Sequence, residues 1–291
     1  MPKLGAVSVE IPCLAKMVNV PMKRDGKGQE IMPASYWDGL YTREARSEKG
    51  RFRRWRSPGL AELVGHIEDL PTDRPVEFLE VGCAPGRFMI ELANRYRWKV
   101  GGIELSASGL EILEANLATH GVRARVYAGD VFELEPTELY DVVGSFGLVE
   151  HFDDPIPCYR AMSRWIRPGG AMIVTVPNLL GLIGTAMKRR DREHYMSHQR
   201  YTPDDLAGHC EAAGFRVVFR GLVGNIYFPG IFDQKTAGVL GRAVNFSSRV
   251  GNAVVTRLSW VLERSIKWHS LTEWVGCVAM KDKTCREVPS C

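Results

Sequence analysis

The sequence predicts an α/β fold: a doubly wound, seven-stranded and mostly parallel sheet covered by helices on both faces. Short apolar segments rich in β-forming residues alternate with helical segments between residues 76 and 220, which is typical of a parallel sheet. The first apolar segment ends in a glycine-rich turn at 82–86 that leads into a helical segment. The chain has 291 residues, of which 45% are hydrophobic and 25% charged, enough for one large domain with an insertion.

Each element is placed by its apolar pattern and by the turn residues that bound it. The predicted strands are 76–81, 99–105, 122–128, 140–146, 171–176, 215–220 and 273–280. The predicted helices are 59–70, 87–96, 107–120, 157–166 and 203–213. Right-handed crossovers between parallel strands favour the doubly wound arrangement. Ligands of such sheets bind beyond the carboxyl ends of the strands, so the loops after the first four strands are expected to meet.

The parts outside the core are predicted from composition. Four prolines in residues 1–33 indicate a flexible leader. In the expected N-terminal helical cap, aromatic residues at helical spacing form either a core-packing face or a lid; they include Tyr36, Trp37 and Tyr41. The expected division of the chain is leader 1–33, helical cap 34–72, core 73–221, helical insertion 222–272, and last core strand with tail 273–291.

The insertion between predicted strands six and seven is unusually long, at about 50 residues against a median connection of about 4–6. Its apolar residues predict two amphipathic helices broken near Ser247-Ser248 and Gly251. We expect a lid, a homodimer contact or a peripheral membrane contact. Base rates favour the lid or the dimer contact, because the arginines of the segment suit a solvated face as well as anionic headgroups.

Charge and cysteine content exclude several classes of protein. The formal net charge is only +4, so the basic clusters at 51–56 and 188–190 do not by themselves indicate a nucleic-acid partner. The seven cysteines are scattered without a C-x-x-C motif, which predicts reduced thiols rather than disulfides or a zinc site. Without a secretory pattern or an apolar run of transmembrane length, a cytoplasmic location is expected.

Carboxylates stand at the ends of three successive predicted strands. Glu80 precedes the glycine turn, Glu104 ends strand two and Asp130 follows strand three. Glu104 can accept hydrogen bonds from both hydroxyls of a ribose. Asp130 can accept one from an amino N–H of adenine, with Val131 and Phe132 packing on the base. Singly, each acid is more often a helix cap or a turn residue. In series behind a glycine turn, they predict a nucleoside site.

This ordered set resembles the class I S-adenosylmethionine-dependent methyltransferases, which have a Rossmann-like fold, over about residues 74–220 and the final strand. The matching motifs are Glu80-Val81-Gly82-Cys83-Ala84-Pro85-Gly86, Gly102-Ile103-Glu104-Leu105-Ser106, Gly129-Asp130-Val131, Tyr140-Asp141-Val142-Val143, Val149-Glu150-His151-Phe152 and Arg167-Pro168-Gly169-Gly170. Ala84 replaces the second glycine of the family turn. The resemblance implies S-adenosylmethionine as cofactor and a small-molecule acceptor.

The resemblance also implies roles for individual residues. The glycine turn would hold the methionine part of the cofactor, Glu104 the ribose and Asp130 the adenine. Phe146 and Gly147 would lie near the sulfonium, a cation that favours aromatic and carbonyl surroundings. The expected cofactor-binding residues are Glu80, Gly82, Cys83, Ala84, Gly86, Glu104, Leu105, Asp130, Val131, Phe146 and Gly147.

Two histidines are the candidates for acceptor chemistry. His151 lies just past strand four, and His198 lies in the predicted loop after strand five. Each is either a general base or orienting group, or a histidine satisfied by the backbone or exposed to solvent. The expected substrate-binding residues are aromatic, namely Tyr36, Trp37, Tyr41, Tyr195, Tyr227 and Phe228.

The Glu150-His151 pair is similar to part of a Glu-x-x-Glu-His pattern that binds a divalent metal in ubiquinone-pathway O-methyltransferases. Gly147 stands at the first glutamate position. This replacement removes one hard oxygen ligand, so we expect no metal.

The predicted function is methyl transfer from S-adenosylmethionine to a small-molecule acceptor, with an O-methyltransferase of a specialised or quinone-like metabolite as the leading hypothesis. The alternatives are N- or C-methylation and a non-catalytic binding or partner protein of the same fold. A nicotinamide oxidoreductase is disfavoured because Glu80 would lie near its pyrophosphate. Amino-nitrogen methylation of nucleic acid is disfavoured because Phe146-Gly147-Leu148 replaces the Asn/Asp-Pro-Pro-aromatic motif.

Overall fold

The computed structural model describes residues 37–39, 41, 57–229, 238–262 and 266–283. The predicted leader and Tyr36 lie outside the described residues.

A seven-stranded sheet forms the centre of the described chain, and the predicted doubly wound α/β fold is confirmed. Its strands are β1 (Glu77–Val81), β2 (Lys99–Glu104), β3 (Ala124–Ala128), β4 (Tyr140–Phe146), β5 (Ile166–Pro177), β6 (Phe215–Ile226) and β7 (Thr272–Lys281). The strand order is β3-β2-β1-β4-β5-β7-β6. Strand β7 runs antiparallel to both of its neighbours, and the other pairs are parallel.

Helices of the described chain cover both faces of the sheet. They are α1 (Pro58–Val64), α2 (Arg87–Glu91, continued by a π-helical turn Leu92–Tyr96), α3 (Ala107–His120), α4 (Ile156–Ser163), α5 (Leu182–Arg190), α6 (Arg192–Met196), α7 (Pro203–Ala212) and α8 (Val239–Leu262). A short 3-10 helix, Val149–His151, follows β4.

The strands are apolar because helices pack on both sides of them. In β4 every residue except the last is buried, and in β1 every residue except the first. Two apolar layers result. One contains Tyr159 and Trp165, and the other contains Trp98 and Leu113. The sheet is therefore a rigid support for the loops at its carboxyl edge.

The helices begin at polar caps that the sequence encodes. The Ser106 hydroxyl accepts the N–H of Gly109 at 3.0 Å at the start of α3. Thr202 and Asp205 form a reciprocal capping box at the start of α7, which satisfies two N–H groups that would otherwise lack partners.

The prediction of two helices in the insertion is wrong, because α8 is one continuous helix of 24 residues. The Ser247 and Ser248 hydroxyls donate to carbonyl oxygens one turn earlier, each at 3.1 Å. These serines therefore satisfy their hydrogen bonds inside the helix instead of ending it. Gly251 stays helical where the helix passes close to Phe228.

The prediction of a loop after β5 is also wrong in part, since α5 and α6 occupy most of it. The Asp191 carboxylate accepts the N–H of His194 at 3.0 Å and caps α6, so His194 and Tyr195 are helical. Strand β6 extends to Ile226, beyond its predicted end, because it pairs with β7 along nearly its whole length. Helix α1 ends at Val64 rather than Leu70, with Gly65 as its C-cap.

Candidate functional site

A cleft opens at the carboxyl edge of the sheet, above the ends of β1 to β4. Its empty volume, counted together with the open mouth, is about 690 Å³. It is lined by Trp37, Tyr41, Val81, Gly82, Ile103, Glu104, Leu105, Ser106, Gly129, Asp130, Val131, Phe132, Gly147, Leu148 and Phe152. The loops predicted to meet therefore do meet.

Glu104 is held rigidly by the backbone around it. Its carboxylate accepts the N–H of Ala84 at 3.0 Å and the N–H of Ser106 at 2.9 Å. Burial raises the pKa of Glu104, and these two hydrogen bonds partly offset the rise. Each carboxylate oxygen has a second lone pair, so the group keeps the capacity to accept hydroxyl protons from a ligand in the cleft.

Glu80 lies one layer deeper. Its carboxylate accepts the N–H of Met89 at 3.2 Å, which joins β1 to the first turns of α2. Burial is the main cause that raises its pKa well above the usual range, and the Glu104 charge adds to the rise. Asp130 is partly exposed in the cleft, where its Oδ1 accepts the N–H of Phe132 at 3.0 Å. Glu104 and Asp130 thus reach one cleft from adjacent strands.

The side chains that line the cleft suit a nucleoside that carries a positive charge. Two acids, Glu104 and Asp130, accept hydrogen bonds from hydroxyl and amino groups, and Val131 and Phe132 offer apolar surface for a base. Among the described residues that line the cleft there is no lysine or arginine. A pyrophosphate would thus meet carboxylates without a compensating cation from the lining, whereas a sulfonium would be favoured.

The expected cofactor-binding residues fall into two groups. Those that line the cleft are Gly82, Glu104, Leu105, Asp130, Val131 and Gly147. The others are not among the lining residues. Cys83 is fully buried, and the Phe146 ring stacks on Phe88 with centroids 3.9 Å apart. Ala84 contributes its backbone to the Glu104 carboxylate, and Gly86 lies at the start of α2.

The described N-terminal residues cover the cleft. Asp38 anchors them to the start of α3, since its carboxylate accepts the hydroxyls of Ser106 at 2.5 Å and Ser108 at 3.1 Å. The Tyr41 hydroxyl donates to the Ala84 carbonyl at 3.2 Å. Trp37 and Tyr41 consequently line the cleft, which favours the lid over the core-packing face. Asp38 is an anchor that sequence reasoning missed.

His151 and His198 come together next to Trp37. Their ring centroids are 4.3 Å apart, and Trp37 stands edge-on to His151 with centroids 4.6 Å apart. His151 Nδ1 lies 2.9 Å from the Ser197 carbonyl oxygen, and His198 Nδ1 lies 2.6 Å from the His194 carbonyl oxygen. Each Nδ1–H therefore donates to a carbonyl, which leaves the lone pair on Nε2.

Glu150 completes this group, which we name the histidine cluster (Glu150, His151 and His198). Glu150 Oε1 lies 3.9 Å from His151 Nε2, and Glu150 Oε2 is buried without a hydrogen-bond partner in the described chain. Burial raises the pKa of Glu150 to about 8. Burial lowers the pKa of His151 to about 3 and that of His198 to about 4, and the neighbouring histidines add to both shifts. At neutral pH all three groups are therefore uncharged.

The histidine cluster could also hold a metal ion. One ligand atom from each of the three side chains lies within 4.8 Å of the others. The sequence expectation of no metal rested on Gly147 alone and did not include His198, which joins the pair from a distant segment. Two imidazoles and one carboxylate are a donor set that suits transition metals better than Mg²⁺.

Of the other expected substrate-binding residues, Tyr36 lies outside the described residues, and Tyr195, Tyr227 and Phe228 do not line the cleft. The Tyr195 ring contacts two cations, with Lys188 Nζ 5.8 Å and Arg200 Cζ 5.4 Å from its centroid. Tyr227 and Phe228 lie past the end of β6, where the Phe228 backbone bonds to the Asn252 side chain of α8. The lining residues missed by sequence reasoning, Val81, Ile103, Ser106, Gly129, Leu148 and Phe152, all lie within a few positions of predicted ones. Strand ends alone could have indicated them.

Comparison with known proteins identifies relatives. A family model described as Methyltransferase domain matches residues 48–219. The ubiquinone biosynthesis O-methyltransferase of Leptothrix cholodnii is 28% identical over 134 residues, covering 43% of this chain and 54% of that protein. The ajmaline N-methyltransferase of Rauvolfia serpentina is 28% identical over 117 residues, covering 39% of this chain and 40% of that protein. The chain thus spans about half the length of these curated relatives.

A solved structure shares the fold. The phosphoethanolamine N-methyltransferase 2 of Haemonchus contortus, in complex with S-adenosyl-L-methionine, superposes with a TM-score of 0.50 at 16% sequence identity. The match covers 79% of this chain and 54% of that one.

Proposed function

Since the chain belongs to the methyltransferase domain family, as a class I S-adenosylmethionine-dependent methyltransferase, we propose that it methylates a hydroxyl oxygen of a quinone-like small molecule. The observation that carries the proposal is the histidine cluster: two neutral imidazoles with their lone pairs on Nε2, next to the cleft that suits the cofactor. The similarity to ubiquinone biosynthesis O-methyltransferases supports the acceptor class.

When bound, S-adenosylmethionine supplies an electrophilic methyl group for in-line displacement. In our proposal, Glu104 and Asp130 hold its ribose and adenine, and Gly82 and Gly147 keep the approach to the sulfonium open. Trp37 and Tyr41 cover the cleft and exclude water, which strengthens electrostatic interactions inside it. These residues align the donor with the acceptor, and alignment is the main requirement of such a displacement.

His151 has the geometry of a proton acceptor, because its tautomer is fixed by the Ser197 carbonyl. We propose that His151 Nε2 accepts a hydrogen bond from the acceptor hydroxyl. As the new carbon–oxygen bond forms, the oxygen becomes positively charged and its proton strongly acidic. A weakly basic imidazole then suffices to remove that proton. His198 packs against His151 and positions it.

The test is a screen for transfer of isotope-labelled methyl from S-adenosylmethionine to phenolic, amine and keto-acid acceptors. We expect phenols to be methylated and amines of similar size to be poor acceptors. Labelling of amines alone would refute the proposed oxygen acceptor. Tight cofactor binding without transfer to any acceptor class would favour a non-catalytic role.

A further inference from the structure

Helix α8 has its polar and apolar faces reversed relative to an ordinary surface helix. Among the described side chains of the helix, the fully buried residues are small or polar, namely Gly241, Asn245 and Ser259. The exposed side also carries large apolar residues that recur about every four positions: Phe246, Val250, Val254, Leu258 and Leu262, with Val239 and Val261 beside them. Phe246 is 66% exposed and Val261 73% exposed. We name this exposed side the apolar face of α8.

Polar hydrogen bonds attach the other side of α8 to the sheet. Asn225 Nδ2 of β6 donates to the Ser259 hydroxyl at 2.9 Å. The Asn252 side chain accepts the N–H of Phe228 at 2.7 Å and donates to its carbonyl at 3.0 Å. These bonds fix the orientation of the helix, so the apolar face is a stable feature of the described surface and is not explained by core packing.

The charge of the helix identifies what the apolar face contacts. Residues 239–262 contain three arginines and no acidic residue, and Arg242, Arg249 and Arg257 are all exposed. A two-fold dimer through this face would place the arginines of one copy near those of the other without carboxylates on the helix to pair them. Anionic lipid headgroups pair with arginines while the acyl region accepts Phe, Val and Leu.

We propose that α8 lies flat on an anionic membrane surface, with the apolar face in the interface and its arginines at the headgroups. At a rise of about 1.5 Å per residue the helix is about 36 Å long. Among the described residues, no helix is both long enough and apolar enough to span a bilayer.

The attachment of α8 also lies close to the histidine cluster. The Trp274 ring lies between Gly147 and Gly224, since a Cβ built on these glycines would be 3.8 Å and 3.3 Å from it. Gly224 adjoins Asn225, which holds α8. A membrane-bound enzyme would therefore present its acceptor side near the lipid, a consequence that rests on the proposed function and fits an apolar, quinone-like acceptor.

The test is co-sedimentation of the full chain with vesicles, read without any activity measurement. Vesicles of phosphatidylcholine and phosphatidylglycerol, at about seven parts to three, are compared with phosphatidylcholine alone, at low and high salt. We expect binding to the anionic vesicles that weakens at high salt. The triple variant Arg242→Gln, Arg249→Gln, Arg257→Gln should bind weaker by about fivefold per arginine at low salt.

The double variant Phe246→Ser, Val254→Ser should lower binding by at least about tenfold, while Leu139→Ser, an exposed leucine far along the chain from α8, should not change it. Absence of wild-type binding, or equal binding by the double variant, would overturn the proposal. A dimer that the double variant dissociates, without vesicle binding, would assign the apolar face to a second copy. Because the assay measures vesicle binding and not methyl transfer, a negative result would refute the membrane proposal without contradicting the proposed methyltransferase activity.

Discussion

His151 donates its Nδ1–H to the Ser197 carbonyl oxygen over 2.9 Å, inside the protein. This contact joins the end of β4 to the segment after α6. With Nδ1 protonated, Nε2 is the imidazole nitrogen of His151 that can accept a proton. The expected effect of replacing His151 rests on this lone pair.

Replacing His151 with alanine should lower the rate of methyl transfer by about 100-fold or more, as expected for loss of a general base. The dissociation constant for S-adenosylmethionine should stay within about twofold, because His151 is not among the residues that line the cofactor cleft. Single-turnover transfer and calorimetric titration measure the two effects. The exposed His269→Ala serves as a matched control, and unchanged transfer by the His151 variant would exclude the proposed role.

Replacing Glu104 with glutamine should weaken the binding of S-adenosylmethionine by about 10- to 100-fold, because a carboxylate that accepts several hydrogen bonds becomes a neutral amide. The Glu104 side chain also orders the Ala84 and Ser106 backbone, so thermal unfolding should accompany the titration. Glu111→Gln, on the exposed side of α3, is the control. Equal affinity of the two variants would contradict a cofactor role for Glu104.

Replacing Glu150 with glutamine should change how stability depends on pH. The pKa of Glu150 in the folded protein is about 8, above the value of about 4.3 in an unfolded chain. The wild type therefore loses stability as pH rises from about 4.3 to 8, because over this range Glu150 ionises in the unfolded chain but stays protonated in the folded protein. The variant cannot ionise there, so its unfolding free energy relative to wild type should rise between pH 5 and pH 9 by an amount on the order of 3 kcal/mol.

Urea unfolding at both pH values measures this difference. Glu135→Gln, at a largely exposed glutamate, provides the control and should show no comparable change. If the difference in unfolding free energy between Glu150→Gln and wild type stays constant with pH, Glu150 is already ionised in the folded protein. Coordination of a metal ion carried through purification would have this effect.

The sequence predicted the sheet and the meeting of strand-end acids at one cleft, because both depend on local patterns. The apolar pattern and the turn residues locate the ends of the strands and the acids that stand there. Because the carboxyl ends of adjacent parallel strands share one edge of the sheet, Glu104 and Asp130 reach the same cleft. The histidine cluster was only half predictable. His198 approaches His151 because α5 and α6 form after β5, and the cap at Asp191 that starts α6 looked like loop sequence. The reversed faces of α8 were missed because Ser247-Ser248 and Gly251 indicate a helix break in the sequence, whereas the structure continues the helix through them.

Gly147 offers a final prediction that separates backbone strain from function. Its φ is +85°, a conformation that costs an alanine about 1 kcal/mol. Gly121 at the end of α3 has φ of +64° and open space around it. Gly147→Ala and Gly121→Ala should therefore lose similar stability in urea unfolding, about 1 kcal/mol each.

Only Gly147→Ala should also slow methyl transfer, because a Cβ there lies 3.4 Å from Glu150 Oε1 and borders the cleft. The stability of Gly147→Ala also shows whether a glutamate could stand at position 147, the first acid of the Glu-x-x-Glu-His pattern. Any side chain there must adopt the same strained backbone as alanine. If Gly147→Ala transfers methyl as fast as Gly121→Ala, the reacting groups do not meet beside Gly147. If it is as stable as wild type, the loop relaxes and a glutamate at this position would be tolerated.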